Sequence, residues 1–128
     1  MKPLDRVKRI AGWVLHVLIG GLMIFAASGK FMGSPQVIEL FKNGGLGDQV
    51  YLIGAGELIT AVLLLVPRTM SLGVLLASAF WGGAICFHMS HGEPYVFQSV
   101  LLVLSWLGAW LREPATLASF TRAKPAKV

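Results

Sequence analysis

The hydrophobic and polar positions divide the chain into four long apolar runs, separated by short breaks that hold proline or charge. A helix needs about 20 mostly apolar residues to span a bilayer. The runs approach that length and cover residues 10–29 and about 49–66, 70–87 and 95–111. Pro67-Arg68 and the tetrapeptide "HGEP" separate the later runs, because proline cannot continue a helix and a charged turn belongs in water. The pattern predicts an all-α fold, an antiparallel bundle of four transmembrane helices over residues 10–112.

A shorter amphipathic segment lies in the first connection, residues 30–48. In "SPQVIELFKNGG", Ser34 can cap a helix, Pro35 suits its first position and Gly44-Gly45 can end it. We therefore expect a short interfacial helix at the outer end of the bundle. Two readings stay open, a helix that lies on the membrane surface and a lid over a pocket.

Composition and charge support a membrane protein. Hydrophobic residues make up 55% of the chain and charged residues 13%, against about 25% charged residues in a typical soluble domain. The net charge of +5 comes from basic residues near the chain ends and not from a stripe, which favours a bilayer surface over nucleic acid. Cys86 is the one cysteine, so the chain can form no internal disulfide and no Cys-x-x-Cys pair, and we interpret it as apolar filler.

The distribution of lysine and arginine predicts the orientation. Lys30 and Lys42 fall on one side of the predicted membrane. The other side holds nine: Lys2, Arg6, Lys8, Arg9, Arg68, Arg112, Arg122, Lys124 and Lys127. By the positive-inside rule, both termini are expected in the cytoplasm. Residues 1–9 then form a basic cytoplasmic N-terminus and residues 113–128 a basic cytoplasmic tail.

Glu57 lies near the middle of the second apolar run, where a charge is costly. An unpaired acid at that depth costs about 3 kcal/mol or more, so we expect its side chain to face the bundle interior and to have a partner. Lys30, at the outer end of the first run, can reach it by bending inward, although a boundary lysine can also extend to water. Two roles stay open for the pair, a catalytic, proton-handling site and a structural contact that fixes helix register.

Further polar side chains are predicted near the same outer level. His88 and His91 are spaced to share one helix face, and Tyr95 and Gln98 begin the fourth run. Trp81 lies near the midplane, where its indole N–H needs an acceptor, for which Glu57 is a candidate. We predict these five residues as ligand-binding.

Metal chemistry is the weaker interpretation of this group. His-x-x-His could give a metal or haem two contacts, with Glu93 as a third ligand, but hydrogen bonding at the boundary explains the histidines more simply. No metal site is therefore assigned. His16, on the first run, lies too deep towards the cytoplasmic side to contact Glu57, and we expect a structural bond to a carbonyl or to a serine such as Ser105.

Two stretches resemble the DoxX-like family of small four-helix membrane proteins. They are "GGLMIFAASGKFMG", which leads into Gly29-Lys30, and "GAGELITAVLLLVPR", which contains Gly56-Glu57. The resemblance covers about residues 10–112. It implies a multi-pass protein of the bacterial cytoplasmic (inner) membrane, and the family's namesake is a subunit of a thiosulfate–quinone oxidoreductase. It also points to Lys30 and Glu57 as characteristic polar positions. Distant relatives that handle thiols use paired cysteines, which this chain lacks.

Three functional hypotheses follow. The first is a redox-associated, quinone-linked membrane subunit with a polar pocket in the outer half, working with a soluble or membrane-bound oxidoreductase. The second is a non-catalytic scaffold or a protein that binds a lipophilic small molecule. The third is an enzyme that acts on a lipophilic substrate, or a carrier, and a carrier this small would need a homo-oligomer. Quinone is the cofactor that the first hypothesis implies. The sequence contains no phosphate-binding loop, nucleophile elbow or zinc motif.

Overall fold

The computed structural model describes residues 2–121 and confirms the all-α prediction. Within these residues there are helices and turns but no strand. The helices are α1 (Pro3–Phe31), α2 (Pro35–Asn43), α3 (Val50–Leu65), α4 (Met70–Ser90), α5 (Val96–Arg112) and α6 (Ala118–Thr121), with 3-10 turns at Gly47–Gln49, Pro67–Thr69 and Pro114–Leu117. The basic residues Arg122, Lys124 and Lys127 of the predicted tail lie outside the described part.

Four of the helices form a ring in which each packs on two neighbours. α1 packs against α3 and α5, and α4 packs against the same two helices. Consecutive long helices run in opposite directions. One end of the ring, which we call the α2 end, holds the last turns of α1 and α4 and the first turns of α3 and α5. The other, the Arg112 end, holds the start of α1 and the end of α5.

The segments Pro3–Phe31, Gly47–Leu65 and Pro67–Ser90 are long and apolar enough to cross a membrane by length and composition. α5 is a shorter apolar helix. α1 starts well before the apolar run at residue 10, so the basic segment continues the helix. Proline has no N–H to lose in the first helical turn, and Pro3 with Asp5 gives α1 a favourable start.

The breaks fall where proline and glycine were expected to place them. α3 ends at Leu65, just before Pro67, and α2 ends at Asn43, with Gly44 as its C-cap and Gly45 at φ +75°. α4 ends at Ser90, and Gly92 follows it at φ +66°. Ser34 occupies the N-cap position of α2, but its hydroxyl donates to Gln36 Oε1 instead of capping the helix.

Small residues let the helices approach each other closely towards the Arg112 end of the bundle. A Cβ at Gly73 would lie 2.3 Å from the backbone nitrogen of Leu64, so α4 touches the α3 backbone there. By contrast, a Cβ at Gly82 or Gly83, further along α4, would meet no atom within 4 Å. Close packing of small residues is a main source of helix association in lipid.

The outer surface of the bundle is apolar. Large side chains such as Phe25 (77% exposed) and Leu18 (65% exposed) lie on this surface, and Cys86, expected as filler, is exposed as well. Among the residues that the structure describes, the interior holds an apolar core that includes Met23, Leu64 and Val74, together with six buried polar residues: His16, Lys30, Glu57, Thr60, Ser105 and Arg112. This distribution is typical of a bundle whose solvent is lipid.

We expect Gly73→Ala to destabilise the protein by about 1–3 kcal/mol, because its new methyl group must displace the α3 backbone. Gly82→Ala is the matched control on the same helix, and its added methyl group meets open space. Thermal unfolding in detergent measures both variants. Equal losses of stability in the two variants would contradict the described packing of α4 on α3.

Candidate functional site

An ion pair between Lys30 and Glu57 joins α1 to α3 inside the bundle. Lys30 Nζ lies 2.5 Å from Glu57 Oε2, and the two side chains are only 9% and 2% exposed. Glu57 therefore faces the interior, as expected, and the ammonium of Lys30 turns inward to meet it. The second turn of α3 makes room for the lysine, because a Cβ at Gly54 would lie 3.2 Å from Lys30 Cβ.

The short helix α2 covers the site from the α2 end. The ammonium of Lys30 lies 5.7 Å from the centre of the Phe41 ring, a cation–π distance. Phe41 also stacks on Phe87 of α4, with ring centres 5.5 Å apart. A Cβ at Gly44 would collide with the Phe87 ring, so the end of α2 lies directly against α4. These contacts hold an aromatic side chain of α2 next to the ammonium of Lys30 and against α4.

A cavity of about 690 Å³ opens beside the ion pair. Lys30 and Glu57 form part of its wall, and Leu40 and Phe41 of α2 contribute to it. Most of the remaining wall is aliphatic or aromatic: Leu22, Ala26, Leu46, Leu52, Ile53, Leu76, Ala79, Phe80, Ala84, Phe87 and Phe97. Its volume falls within the range of about 300–1,000 Å³ that is usual for small-molecule pockets.

Two buried polar atoms in this wall have no hydrogen-bond partner within residues 2–121. They are Trp81 Nε1, a donor, and Gln98 Oε1, an acceptor. The expectation that Glu57 accepts the indole hydrogen bond is wrong, because the one bond described for Glu57 is the one from Lys30. A buried polar group without a partner costs about 1–3 kcal/mol, so each atom calls for a partner from outside the chain.

Some of the other residues predicted to bind a ligand line the cavity, and others do not. His88 lines the cavity, and its Nδ1 lies 2.7 Å from Glu93 Oε2. His91 turns away, with its Nδ1 2.6 Å from the carbonyl oxygen of Phe87. Neither His91 nor Tyr95, which is 41% exposed, lines the cavity. Across the described residues, no group of three or more His, Cys, Asp or Glu side chains is arranged to hold a metal ion.

A second polar network lies at the Arg112 end. The sequence predicts the part that involves His16 but not the part that involves Arg112. His16 Nε2 lies 2.8 Å from the backbone oxygen of Ser105, which confirms a bond to a carbonyl. Arg112 Nη1 donates to His16 Nδ1 at 2.8 Å and to the Leu64 carbonyl at 2.6 Å. Since a guanidinium can only donate, Nδ1 must accept and the imidazole proton lies on Nε2. The guanidinium also stacks on Trp13, 3.7 Å from the ring centre.

Two glycines, Gly12 and Gly108, are the sequence feature that indicates this second network. A Cβ at Gly108 would lie 2.5 Å from His16 Cδ2, and one at Gly12 would lie 2.8 Å from Arg112 Cγ. Two glycines at these positions therefore leave space for the imidazole and the arginine stem. Arg112 is therefore a buried member of the bundle and not only a charge at the membrane boundary.

We expect Lys30→Gln and Glu57→Gln each to destabilise the protein by about 3–5 kcal/mol, because each leaves a buried charge without its partner. The double variant should lose much less than the sum of the two, since it removes both charges. Lys42→Gln, at an exposed lysine of α2, should change stability by no more than about 0.5 kcal/mol. Thermal unfolding of the four variants gives the coupling energy. Simple additivity would contradict a direct ion pair.

Comparison with known proteins bears on the family of the chain. No curated protein and no solved structure matches it. The sequence profile of the DoxX-like family matches residues 14–108, which include both residues of the ion pair, the unpartnered Trp81 and Gln98, and His16 of the second network. That match covers well over half of the 128 residues, and the chain therefore belongs to the DoxX-like family.

Proposed function

We propose that the cavity binds a lipophilic small molecule of the quinone class and that the protein acts as a redox-associated membrane subunit. The observation that carries this proposal is the pair of unpartnered polar atoms, Trp81 Nε1 and Gln98 Oε1, buried in a largely apolar wall. A ligand that offers oxygen to the indole N–H and a hydroxyl to the amide oxygen would complete both groups at once.

The wall has the chemistry that a quinone head requires. Phe80, Phe87 and Phe97 present aromatic surface to a flat ring, and leucine side chains extend the apolar wall for an attached chain. A quinone oxygen accepts hydrogen bonds in the oxidised form and can donate one as a hydroxyl in the reduced form. The Trp81 N–H can donate to a quinone oxygen, and the Gln98 amide oxygen can accept from a hydroxyl of the reduced form.

The ion pair supplies the groups that could handle protons. A bound quinone would contribute reversible two-electron, two-proton chemistry between its carbonyl and hydroxyl forms. Glu57 has no described bond at Oε1, and that atom is not among the buried unpartnered ones, so it is open to the cavity that Glu57 lines. We assign this oxygen to accept a proton from a ligand hydroxyl. The adjacent ammonium of Lys30 balances the charge of the carboxylate.

We assign His88 to a proton path out of the site. It lies in the cavity wall and bonds through Nδ1 to Glu93. The Glu93 side chain is 39% exposed, against 24% for that of His88. Histidine suits proton relay because one ring nitrogen can accept a proton while the other donates one. In this proposal Glu57 is the inner and Glu93 the outer carboxylate, with His88 on the outward side of the cavity. A partner oxidoreductase would exchange electrons with the bound quinone.

A scaffold function is the second candidate, and the ion pair itself favours it. Each charge is satisfied by the other, and their contact holds α1 against α3. A scaffold alone, however, would have no use for the unpartnered atoms of Trp81 and Gln98. The two candidates therefore differ in what replacement of those atoms should do.

We further propose that both termini lie in the cytoplasm and that the protein resides in the inner membrane. The support is the excess of lysine and arginine on the side of the termini, nine residues out of eleven. In that orientation the cavity and α2 lie in the outer half of the bilayer.

Trp81→Phe keeps an aromatic ring and removes the unpartnered N–H. We expect it to weaken binding of a short-chain ubiquinone analogue about tenfold, the effect of losing one hydrogen bond of about 1.4 kcal/mol. The thermal stability of the ligand-free protein should fall only by the cost of the space that the smaller ring leaves in the core, because no internal hydrogen bond is lost. Calorimetric titration in detergent and thermal unfolding measure the two effects.

Trp106→Phe is the matched control. Trp106 Nε1 donates to Ser78 Oγ at 2.6 Å, and the residue does not line the cavity. This variant should lose stability and keep its affinity for the analogue. Absence of binding to the unmodified protein, or equal affinity in protein and Trp81→Phe variant, would overturn the quinone proposal.

A further inference from the structure

A second concave site lies at the Arg112 end, away from the proposed quinone cavity. Its volume is about 360 Å³, and it lies between the start of α1 and the end of α5. Three cationic side chains line it, Lys8, Arg9 and Arg112, together with the carboxylates Asp5 and Glu113. The lining therefore carries a net charge of +1 and offers both donors and acceptors.

Arg112 is held in a fixed position at the base of this site. The residue is 6% exposed, its Nη1 is bonded to His16 and Leu64, and Trp13 covers one face of the guanidinium. Nε and Nη2 have no described partner, yet they are not among the buried unpartnered atoms. Since Arg112 lines the site, these nitrogens are the ones that can reach a ligand in it.

The charge of Arg112 is not neutralised by the described part of the chain. The salt bridges found in residues 2–121 are Lys30–Glu57 and His88–Glu93, and neither includes Arg112. His16 and the Leu64 carbonyl are neutral acceptors, so they satisfy hydrogen bonds without cancelling the charge. A buried cation without a counter-ion is unfavourable, and an anion beside Nε and Nη2 would relieve that cost.

The composition of the site selects among anions. Arg9 and Lys8 add cationic groups near the exposed edge, and Lys8 Nζ lies 5.8 Å from the centre of the Trp110 ring. The carboxylates of Asp5 and Glu113 would repel a dianion but can accept hydrogen bonds from hydroxyl groups. A singly charged phosphodiester that carries hydroxyls matches both requirements.

The position of the site favours a lipid as the source of that phosphodiester. Leu4 and Val7, on the same first turns of α1, are 63% and 61% exposed and present apolar surface next to the charged groups. Basic pockets between transmembrane helices at a membrane boundary are suited to anionic headgroups. We propose that Lys8, Arg9 and Arg112 bind the headgroup of an anionic phospholipid with free hydroxyls, such as phosphatidylglycerol.

The test measures binding of phosphatidylglycerol and of phosphatidylcholine with matched acyl chains to the detergent-purified protein by native mass spectrometry. We expect phosphatidylglycerol to bind at least about tenfold more tightly. Arg112 variants could unfold the bundle, so the diagnostic variant is the double replacement Lys8→Gln and Arg9→Gln, at two exposed side chains. It should weaken binding of phosphatidylglycerol about tenfold or more.

Arg68→Gln is the matched control, because Arg68 is an exposed cation at the same end of the bundle that does not line the site. It should change the affinity less than about twofold. Equal affinity for the two lipids, full affinity in the double variant, or an equal loss in Arg68→Gln would overturn the proposal. Displacement of the lipid by millimolar inorganic phosphate would reassign the site to a soluble anion and overturn the lipid assignment.

Discussion

The buried ion pair between Lys30 and Glu57 is the interaction on which the structure of the α2 end depends. Lipid offers no water to solvate a charge, so a carboxylate in the middle of a membrane-spanning helix needs a partner within the bundle. That requirement places the end of α1 beside the second turn of α3 and makes Gly54 the point where the lysine stem can pass. It also gives α2 a charge to cover, through the ring of Phe41.

The two ends of the bundle handle buried charge in different ways. At the α2 end, an ammonium and a carboxylate cancel, and the unsatisfied groups nearby are the neutral atoms of Trp81 and Gln98. Such a site suits an uncharged ligand with hydrogen-bonding oxygens. At the Arg112 end, a guanidinium is held by neutral acceptors and keeps its charge. That site suits an anion.

Physical cost explains what could be predicted from the sequence. Glu57 had to face inward and Lys30 was the nearest cation, while Pro67, Gly44 and Gly92 stop helices for local steric reasons that depend on few neighbours. The all-α fold follows from the length and apolarity of the runs. All of these features depend only on residue type and position along the chain.

Helix rotation and tertiary contacts account for what could not be predicted. His91 follows His88 by three residues, yet it lies just beyond the end of α4, where the chain turns and its ring packs on Phe87. Depth placed Trp81 near Glu57, but depth does not fix which side of α4 faces the acid. Arg112 looked like one more boundary charge, and only the close approach of α1 and α5 at Gly12 and Gly108 reveals its place inside.

The most direct test of the central claim is the distance between the lysine ammonium and the glutamate carboxylate in a lipid bilayer. Solid-state NMR can measure it through nitrogen–carbon dipolar recoupling, with ¹⁵N at lysine Nζ and ¹³C at glutamate Cδ. Lys30–Glu57 is the one lysine–glutamate salt bridge within residues 2–121, at 2.5 Å between Nζ and Oε2. The account predicts strong recoupling that disappears in Lys30→Gln. No recoupling, or recoupling that survives this replacement, would contradict it.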